Sequence, residues 1–402
     1  MATLTEKITT ALTALKHGKL ILVADDTNRE AEGDLIGLAS LATPDSVNTM
    51  TKYGRGLICV PMTVAKAAQL NLSLMTMENT EHFHTAFTVS VDERHTSTGI
   101  SAYERATTIR RLGQVDATEA DFERPGHIFP LIAREGGVLV RRGHTEAAVD
   151  LARLVGEEPA TAYICETLTS DGHMRRLPEL KQLAKELGIP LITIDDLARY
   201  RYLINDSAVT GDVRVKLPTQ YGEFTLTDYE SATDKRLQLL LHSTKANATD
   251  IPLVRLHSEC FTGDVLGSKR CDCGQQLTTA MTKIGAEGGY LLYLRQEGRG
   301  IGLKNKLRAY QLQEQGLDTV EANEHLGFEP DERDYGIAAA MLHDQGVDRI
   351  RLMTNNPDKI AGLQKYGIEV VERVPLEVSV YAEDHDYLRT KQFKFHHALH
   401  VD

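Results

Sequence analysis

The sequence predicts two mixed domains, of the α/β and α+β classes. A chain of 402 residues is long enough for two domains that each bury a hydrophobic core. Helical and strand patterns alternate in both halves, which favours mixed architectures. The polar segment NDSAVTGD (205–212) contains a glycine and interrupts these patterns, as a linker does. We therefore expect one domain over residues 1–204 and another over 205–402.

Six elements are predicted in the first half, in chain order. Helical spacing over residues 3–17 predicts a helix, and the apolar run LILVADD (20–26) predicts the strand that follows it. The alternating segment FTVSVD (87–92) predicts another strand. HTEAAVDLARLVG (144–156) predicts a helix that ends at its glycine, and PLITIDDLARYRYLI (190–204) predicts a strand that runs into a helix.

The pattern restarts after the linker. VRVKLPTQYGEFTL (213–226) predicts a β-hairpin, and IPLVRLHS (251–258) predicts a buried strand. GYLLYL (289–294) predicts a further strand, and residues 301–316 predict a helix. IRLMTNN (350–356) predicts the strand after it. The second half is therefore expected to be a mixed domain like the first.

Composition limits the functional classes. The chain is 42% hydrophobic and 25% charged, as in ordinary globular proteins, and no apolar run is long enough to cross a bilayer. Its first residues resemble an amphipathic helix and not a signal peptide. A net charge of −12 argues against non-specific binding to nucleic acid. Five cysteines do not suggest a disulfide framework, so we expect a cytoplasmic protein.

Three of the five cysteines lie in HSECFTGDVLGSKRCDCG (257–274), at Cys260, Cys271 and Cys273. The glycine after the Cys-x-Cys pair permits a turn in which the sulfurs converge. Three thiolates with an open fourth position are typical of a catalytic zinc, whereas a structural zinc normally takes four protein ligands. Buried structural thiols are the alternative interpretation.

This segment closely resembles the zinc signature of GTP cyclohydrolase II. The resemblance continues through LYLRQEGRGIGLKNKLRAYQLQEQGLDTVEANEHLGF (292–328), DERDYG (331–336) and RLMTNNPDK (351–359), and it covers residues 207–390. Phe261 stands where the family more often has Leu, a change that we expect to affect packing only. The resemblance implies a cyclohydrolase II-type α/β fold with a zinc site.

The family reaction opens the imidazole ring of GTP and yields 2,5-diamino-6-(5-phosphoribosylamino)pyrimidin-4-one, formate and pyrophosphate. The resemblance makes Cys260, Cys271 and Cys273 the ligands of a Zn²⁺ ion that activates water. By position, the implied GTP contacts are Arg255, Gln276, Glu297, Arg299, Thr319, Thr354 and Lys359. EGRGIG (297–302) could bring backbone amides to an anion, although a tight turn is the plainer interpretation and the spacing is not that of a P-loop.

Three further residues match catalytic positions of the family. Asp331 matches a proton acceptor, and Arg333 matches a nucleophile toward the α-phosphate, which is unusual because a guanidinium stays protonated. Without the resemblance, DERD would read as a surface ion pair. Tyr310 matches a residue near the zinc site, although by its spacing alone it would be an aromatic in the core.

The first half carries carboxylates in DDTNREAEGD (25–34), directly after a predicted strand. A solvated acidic turn is the simplest interpretation. However, RPGHIFPL (124–131) and RRGHTEAAVDL (141–151) each place a histidine after a glycine and near an arginine. Separated carboxylates and histidines suit a Mg²⁺ site with acid–base chemistry.

Together with CETLTSDG (165–172) and STGISAYERATTIR (97–110), these segments resemble 3,4-dihydroxy-2-butanone 4-phosphate synthase over residues 4–203. The resemblance implies a synthase-type α+β fold that converts ribulose 5-phosphate to 3,4-dihydroxy-2-butanone 4-phosphate and formate. Its implied residues are Glu30 and His144 for Mg²⁺ or Mn²⁺, Arg29, Asp34, Arg141 and Thr145 for the substrate, and His127 and Glu166 for proton transfer.

Several positions in this half depart from the synthase pattern. Thr27, Asn28 and Ala31 replace a Glu, an Asp and an Asn in the acidic loop, His84 replaces a Gly, and Glu104 replaces an Asp. One alternative is therefore an active cyclohydrolase joined to a non-catalytic scaffold, and another is a regulator with a structural zinc. The two families in this order match the bifunctional riboflavin biosynthesis enzymes, and both imply a homodimer.

Overall fold

The computed structural model describes residues 3–26, 29–381 and 383–398. The chain divides into two compact units, Met1–Tyr200 and Arg201–Asp402. Each unit contains one seven-stranded mixed sheet with helices packed against it. The predicted combination of two mixed α/β domains is confirmed. Among the described residues, no helix is long and apolar enough to cross a membrane.

The first unit has the strand order β4-β5-β3-β6-β2-β1-β7, in which β3–β5 and β1–β7 pair in parallel. Its helices are α1 Leu4–Lys16, α2 Pro44–Thr49, α3 Val64–Gln69, α4 Ala102–Leu112, α5 His144–Leu154, α6 Leu177–Leu187 and α7 Ile194–Leu203. Its strands are β1 Ile21–Ala24, β2 Gly33–Leu38, β3 Cys59–Met62, β4 Val91–Glu93, β5 Phe122–Ile132, β6 Ala162–Glu166 and β7 Leu191–Thr193.

Helix α1 shows how the pattern produces the packing. Thr3 caps its N-terminus in a capping box with Glu6, which satisfies amide groups that the helix leaves unpaired. Ile8, Ala11 and Leu15 recur at helical spacing and are fully buried. Strands β1 and β2 are buried along their whole length, so the acidic loop between them is held by a rigid core.

The second unit has the strand order β14-β13-β11-β12-β10-β9-β8. Strands β14, β13, β11 and β12 are parallel, and the other three continue as an antiparallel meander. Its helices are α8 Cys273–Glu287, α9 Gly302–Gln313, α10 Thr319–His325, α11 Gly336–Asp344, α12 Pro357–Lys365 and α13 His385–Lys394. Its strands are β8 Val209–Thr219, β9 Gly222–Ser231, β10 Gln238–Ser243, β11 Leu253–Ser258, β12 Tyr290–Leu294, β13 Arg349–Met353 and β14 Glu369–Val374.

The structure corrects the predicted bounds of three segments. The strand over 87–92 was wrong in its first part, because Phe87 and Thr88 form isolated bridges and the ladder begins at Val91. The linker over 205–212 was too long, since β8 already begins at Val209. The strand over 350–356 ends at Met353, and the residues after it turn into the cleft described below.

Candidate functional site

A cleft in the second unit lies at the carboxyl ends of parallel strands. Strands β11 and β12 run in parallel, and β13 pairs with β11 on the other side. The residues that follow these strand ends include Cys260, Glu297 and Thr354, and all three line the cleft. This edge of an open parallel sheet is where α/β proteins bind ligands. The cleft and its open mouth together hold about 1080 Å³.

The three cysteines converge at one wall of this cleft. Their sulfurs lie within 4.8 Å of one another, and the Sγ atoms of Cys260 and Cys271 are 3.6 Å apart. Cys273 begins helix α8, so the helix fixes the last of the three. Gly263 packs against the cluster, and a Cβ there would lie 3.0 Å and 3.1 Å from two of the sulfurs. A side chain at this position would press against the sulfurs, so a glycine suits the close approach of the turn.

The thiols do not share charge equally. Hydrogen bonds from Cys271 and Cys273, together with the Lys306 ammonium, hold the pKa of Cys260 far below its usual range. The hydrogen bond with Cys260 raises the pKa of Cys271 to about 11 and raises that of Cys273 further. The negative charge is therefore favoured at Cys260, and a divalent cation would favour ionisation of the other two thiols.

The chemistry of this donor set fits Zn²⁺. Three sulfurs converge, and among the described residues no fourth Cys, His, Asp or Glu completes the cluster. All three cysteines also line the cleft, so the remaining coordination position would face it. Behind the cluster, Asp264 accepts hydrogen bonds from the Cys260 amide (3.0 Å) and from the Tyr293 hydroxyl (2.8 Å). This carboxylate fixes the loop that carries Cys260.

The other walls of the cleft are rich in cations. All seven residues predicted to contact GTP line it, as do Tyr310 and Arg333. Arg255 donates to Gln276 Oε1 (2.6 Å) and to the Met353 carbonyl (3.0 Å), and burial lowers its pKa to about 10. Lys359 donates to the Leu256 carbonyl (2.7 Å), and burial with nearby cations lowers its pKa well below the usual range.

Arg333 and Asp331 form a two-pronged ion pair, with an Nε–Oδ1 distance of 2.8 Å and a second contact through Nη2. Despite its burial, Tyr335 and Asp331 raise the pKa of Arg333, so this guanidinium stays charged. EGRGIG forms a tight turn over Glu297–Gly300, in which Gly298 and Arg299 both have left-handed φ. The Tyr310 hydroxyl lies 3.4 Å from Thr262 Oγ1, beside the sulfur cluster.

Sequence reasoning missed several residues of the cleft. Lys306 Nζ lies 3.0 Å from Cys260 Sγ and 2.7 Å from Glu297 Oε1. A lysine on a helix is usually exposed to solvent, so the sequence pattern around Lys306 did not indicate a role in the cleft. The others that we did not predict include Asn356, Tyr387, Lys391 and His397.

The first unit holds a second cluster at the acidic loop. One ligand atom from each of Asp25, Glu30 and His144 lies within 4.8 Å of the others, and only Asp25 was not predicted as a ligand. Burial lowers the pKa of His144 to about 4, which keeps the imidazole neutral and able to coordinate a metal. Asp34 Oδ1 is buried without a hydrogen-bond partner, 3.8 Å from His144 Nδ1. Two carboxylates, an imidazole and this unsatisfied oxygen fit Mg²⁺ or Mn²⁺.

Arg29 holds the loop carboxylates together, with 3.1 Å to Asp25 and 2.8 Å to Glu30. Arg141, which is predicted to hold substrate, pairs with Glu146 at 2.6 Å and donates to Thr85 Oγ1. Thr145 is the second residue of α5, directly after His144, and is buried. Thr27 and Asn28 lie outside the described residues.

The predicted proton-transfer residues lie on β6 and β5, which β3 separates in the sheet. Glu166 ends β6, where its backbone pairs with that of Asp34, and its Oε2 accepts from the Leu57 amide at 2.8 Å. Burial raises the pKa of both carboxyl groups, and Glu166 adds to the effect on Asp34. His127, on β5, places Nδ1 2.7 Å from Asp92 Oδ2. No described hydrogen bond joins His127 to the cluster at His144.

The structure describes three of the departures from the synthase pattern. His84 has a left-handed φ of 53°, a conformation that glycine adopts at little cost, which accounts for the usual Gly. Glu104 accepts hydrogen bonds from Ser97 and Ser101 at the start of α4. Ala31 also has a left-handed φ, of 56°.

Comparison with known proteins matches each half of the chain to a different enzyme family. The family model for 3,4-dihydroxy-2-butanone 4-phosphate synthase matches residues 9–200, and that for GTP cyclohydrolase II matches residues 211–375. The riboflavin biosynthesis protein RibBA of Bacillus cereus (strain AH187) is 55% identical over 396 residues, which are 98% of this chain and 99% of the relative. The protein of the same name from Bacillus cytotoxicus is 54% identical over the same shares.

A solved structure is similar over most of the chain. The two-domain 3,4-dihydroxy-2-butanone 4-phosphate synthase RibBX from A. baumannii is 30% identical, with a TM-score of 0.67. The match covers 93% of this chain and 100% of RibBX. The two-domain arrangement of mixed folds is therefore shared with a solved protein.

Proposed function

This chain belongs to the family of bifunctional riboflavin biosynthesis proteins, in which a 3,4-dihydroxy-2-butanone 4-phosphate synthase precedes a GTP cyclohydrolase II, and from that premise we propose how its two sites divide the chemistry. The cleft of the second unit hydrolyses GTP, and the acidic cluster of the first unit converts ribulose 5-phosphate. The scaffold alternative is not favoured, since every residue predicted to act directly in the synthase is present.

One observation carries the proposal for the second unit. A cluster of three sulfurs opens into the same cleft that Arg255, Arg299 and Lys359 line. Cations and a metal site in one cleft suit a purine whose ring carbon would lie at the metal and whose triphosphate would lie at the cations. A Zn²⁺ ion held by Cys260, Cys271 and Cys273 would supply Lewis-acid activation of water.

Side chains of the cleft would bind the α-phosphate and the guanine and would transfer protons. Arg333 stays charged beside Asp331, which suits contact with the α-phosphate from which pyrophosphate leaves. An attack by Arg333 itself would require Asp331 to take a guanidinium proton. Tyr310, beside Thr262, is placed to hold or move a proton near the sulfur cluster. Gln276 and Glu297 offer an amide and a carboxylate for the guanine edge.

In the first unit, Asp25, Glu30 and His144 would hold Mg²⁺ or Mn²⁺, whose charge stabilises an enediolate of the sugar phosphate. Burial raises the pKa of Glu166, which favours its taking up a proton during the reaction and suits a role as acid or base. His127 is oriented by Asp92 and transfers a second proton. The substrate is held by Arg29, Asp34, Arg141 and Thr145. Arg141 would release Glu146 and bind the phosphate group of the substrate.

The test is a mass-spectrometric product assay of the whole protein with each substrate separately. We expect formate and the diaminopyrimidine phosphate from GTP, and formate with the four-carbon phosphate from ribulose 5-phosphate. Cys271→Ser should abolish only the first reaction, and His127→Ala only the second. A zinc-loaded preparation that leaves GTP intact would overturn the assignment of the cleft.

Assembly and location are also part of the proposal. We propose a cytoplasmic homodimer that acts on small molecules and has neither nucleic acid nor membrane partners, in keeping with the resemblance and with a net charge of −12. Sedimentation equilibrium of the purified protein would give a mass of one chain if the dimer were wrong.

A further inference from the structure

The described residues 383–398 pass over the GTP cleft, although they lie beyond residue 375, where the cyclohydrolase match ends. Helix α13 and the residues after it contribute Tyr387, Lys391 and His397 to the lining. The second unit therefore completes its cleft with a segment that lies outside the matched range of the cyclohydrolase model.

This segment is held by contacts to the functional elements of the cleft. Lys391 Nζ lies 2.5 Å from Asp272 Oδ1, and Asp272 stands between two of the cysteines. The guanidinium of Arg299 stacks over the ring of Phe395 at 3.9 Å. The Ala398 amide donates to the Asn355 carbonyl at 2.9 Å. The segment thus contacts the sulfur loop and two segments predicted to bind GTP.

Lys391 adds a cation to a region that already has an excess of them. It is 8% exposed, and its ammonium lies 4.5 Å from the centre of the Tyr387 ring. Among the described residues, no carboxylate forms an ion pair with Arg299 or Lys359. Burial and then the charges of Lys391, Arg333, Lys359 and Arg299 lower the pKa of His397 to about 2. Lys391, Arg333, Lys359 and Arg299 all line the cleft, which therefore presents four cations to a ligand, as a polyphosphate requires.

We propose that Lys391 is a phosphate-binding residue of the GTP site and that residues 383–398 form a wall of that site, an inference that rests on the proposed function. The Lys391 ammonium would divide its hydrogen bonds between Asp272 and the triphosphate. Since Asp272 lies between Cys271 and Cys273, Lys391 would also connect the phosphates to the loop that holds the metal.

The simpler role for Lys391 is to anchor α13 to Asp272, and two variants separate the roles. Lys391→Gln can still donate a hydrogen bond to Asp272 but has no charge, whereas Lys391→Arg keeps the charge. Arg389→Gln is the matched control, because Arg389 lies on the same helix, is exposed and does not line the cleft. Zinc content and circular dichroism of each full-length protein establish that the fold is kept.

The measurement is calorimetric binding of the non-hydrolysable α,β-methylene analogue of GTP, and of guanosine by competition. We expect Lys391→Gln to weaken analogue binding by about tenfold to a hundredfold, with guanosine affinity unchanged. Lys391→Arg should recover most of the loss, and Arg389→Gln should bind like the wild type. Analogue affinity unchanged in Lys391→Gln, or equal losses for analogue and guanosine, would overturn the inference.

The same proteins separate this inference from the proposed function. A wild type that binds the analogue but releases no formate from GTP would refute the cyclohydrolase assignment, while the Lys391 comparison still decides the phosphate contact. A wild type that binds no guanine nucleotide would overturn both.

Discussion

The ammonium of Lys306 lies 3.0 Å from the sulfur of Cys260 and also donates to Thr262 Oγ1 at 3.0 Å. Glu297 balances the lysine on its other side, at 2.7 Å. Three thiolates around one divalent cation would carry a net charge of −1, and the ammonium 3.0 Å from one sulfur would stabilise the negative charge of Cys260, although Glu297 offsets part of the lysine's charge. Lys306 is therefore placed to stabilise the metal-bound form of the cluster without being a ligand.

Lys306→Met should weaken zinc binding by about tenfold to a hundredfold, the usual effect of removing a group that supports a metal ligand. The thiolate of Cys260 loses its neighbouring cation, and Glu297 is left without its partner. Zinc affinity is measured by competition with a chromophoric chelator. Lys304→Met, on an exposed position of the same helix, is the control. Equal zinc affinity in both variants would contradict this role.

Lys359 should make nucleotide binding dependent on pH. Burial and the nearby Arg255 and Arg333 lower its pKa well below the usual range in the nucleotide-free protein. A bound phosphate raises that pKa again, so binding takes up a proton at a pH between the two values. Affinity therefore falls as the pH rises through this window, by at most about tenfold per pH unit for one proton.

Proton uptake is measured by calorimetry of the methylene analogue in two buffers of different ionisation enthalpy. The apparent binding enthalpies should differ for the wild type and for Lys365→Met, in which an exposed lysine of the same helix is changed. They should converge for Lys359→Met. Buffer-independent heats in the wild type would show that Lys359 keeps one protonation state.

The sequence was most informative where function depends on spacing within one segment. Cys260, Cys271 and Cys273 are close in the chain, and a turn is enough to join their sulfurs. It was less informative where a contact joins distant segments. Lys391 and Asp272 are 119 positions apart, and the sequence around either residue does not predict their contact.

Exposed strands were also hard to predict. Strand β8 is exposed at most of its positions, so Val209 and its neighbours carry no apolar alternation and resemble a linker. FTVSVD alternates, but a ladder also needs a partner strand. The Ser90 hydroxyl accepts a hydrogen bond from the Gly126 amide. The regular pairing of β4 with β5 begins only at Val91.

Asp25 was missed as a metal ligand, and its variant tests the cluster of the first unit. Asp25→Asn should weaken Mn²⁺ binding by about tenfold or more, because a carboxylate ligand is lost and Arg29 is left without one of its partners. Electron paramagnetic resonance of free Mn²⁺ gives the affinity. Asp26→Asn removes the same charge from the adjacent, exposed residue and should bind normally. If the two variants lose affinity equally, general charge and not coordination explains the effect.

Asp92 should act on the synthase reaction through His127. Its Oδ2 lies 2.7 Å from Nδ1 of the imidazole, and its Oδ1 accepts from the His127 amide at 2.8 Å. A carboxylate at Nδ1 fixes the proton there and leaves Nε2 able to accept another, whereas the amide of Asp92→Asn can favour the opposite tautomer. Loss of a charge-assisted hydrogen bond of about 1.5–3 kcal/mol predicts a turnover of ribulose 5-phosphate lower by about tenfold to a hundredfold. GTP turnover of the same preparation serves as the internal control and should not change. Normal turnover of both substrates in Asp92→Asn would show that the orientation of His127 does not depend on this carboxylate.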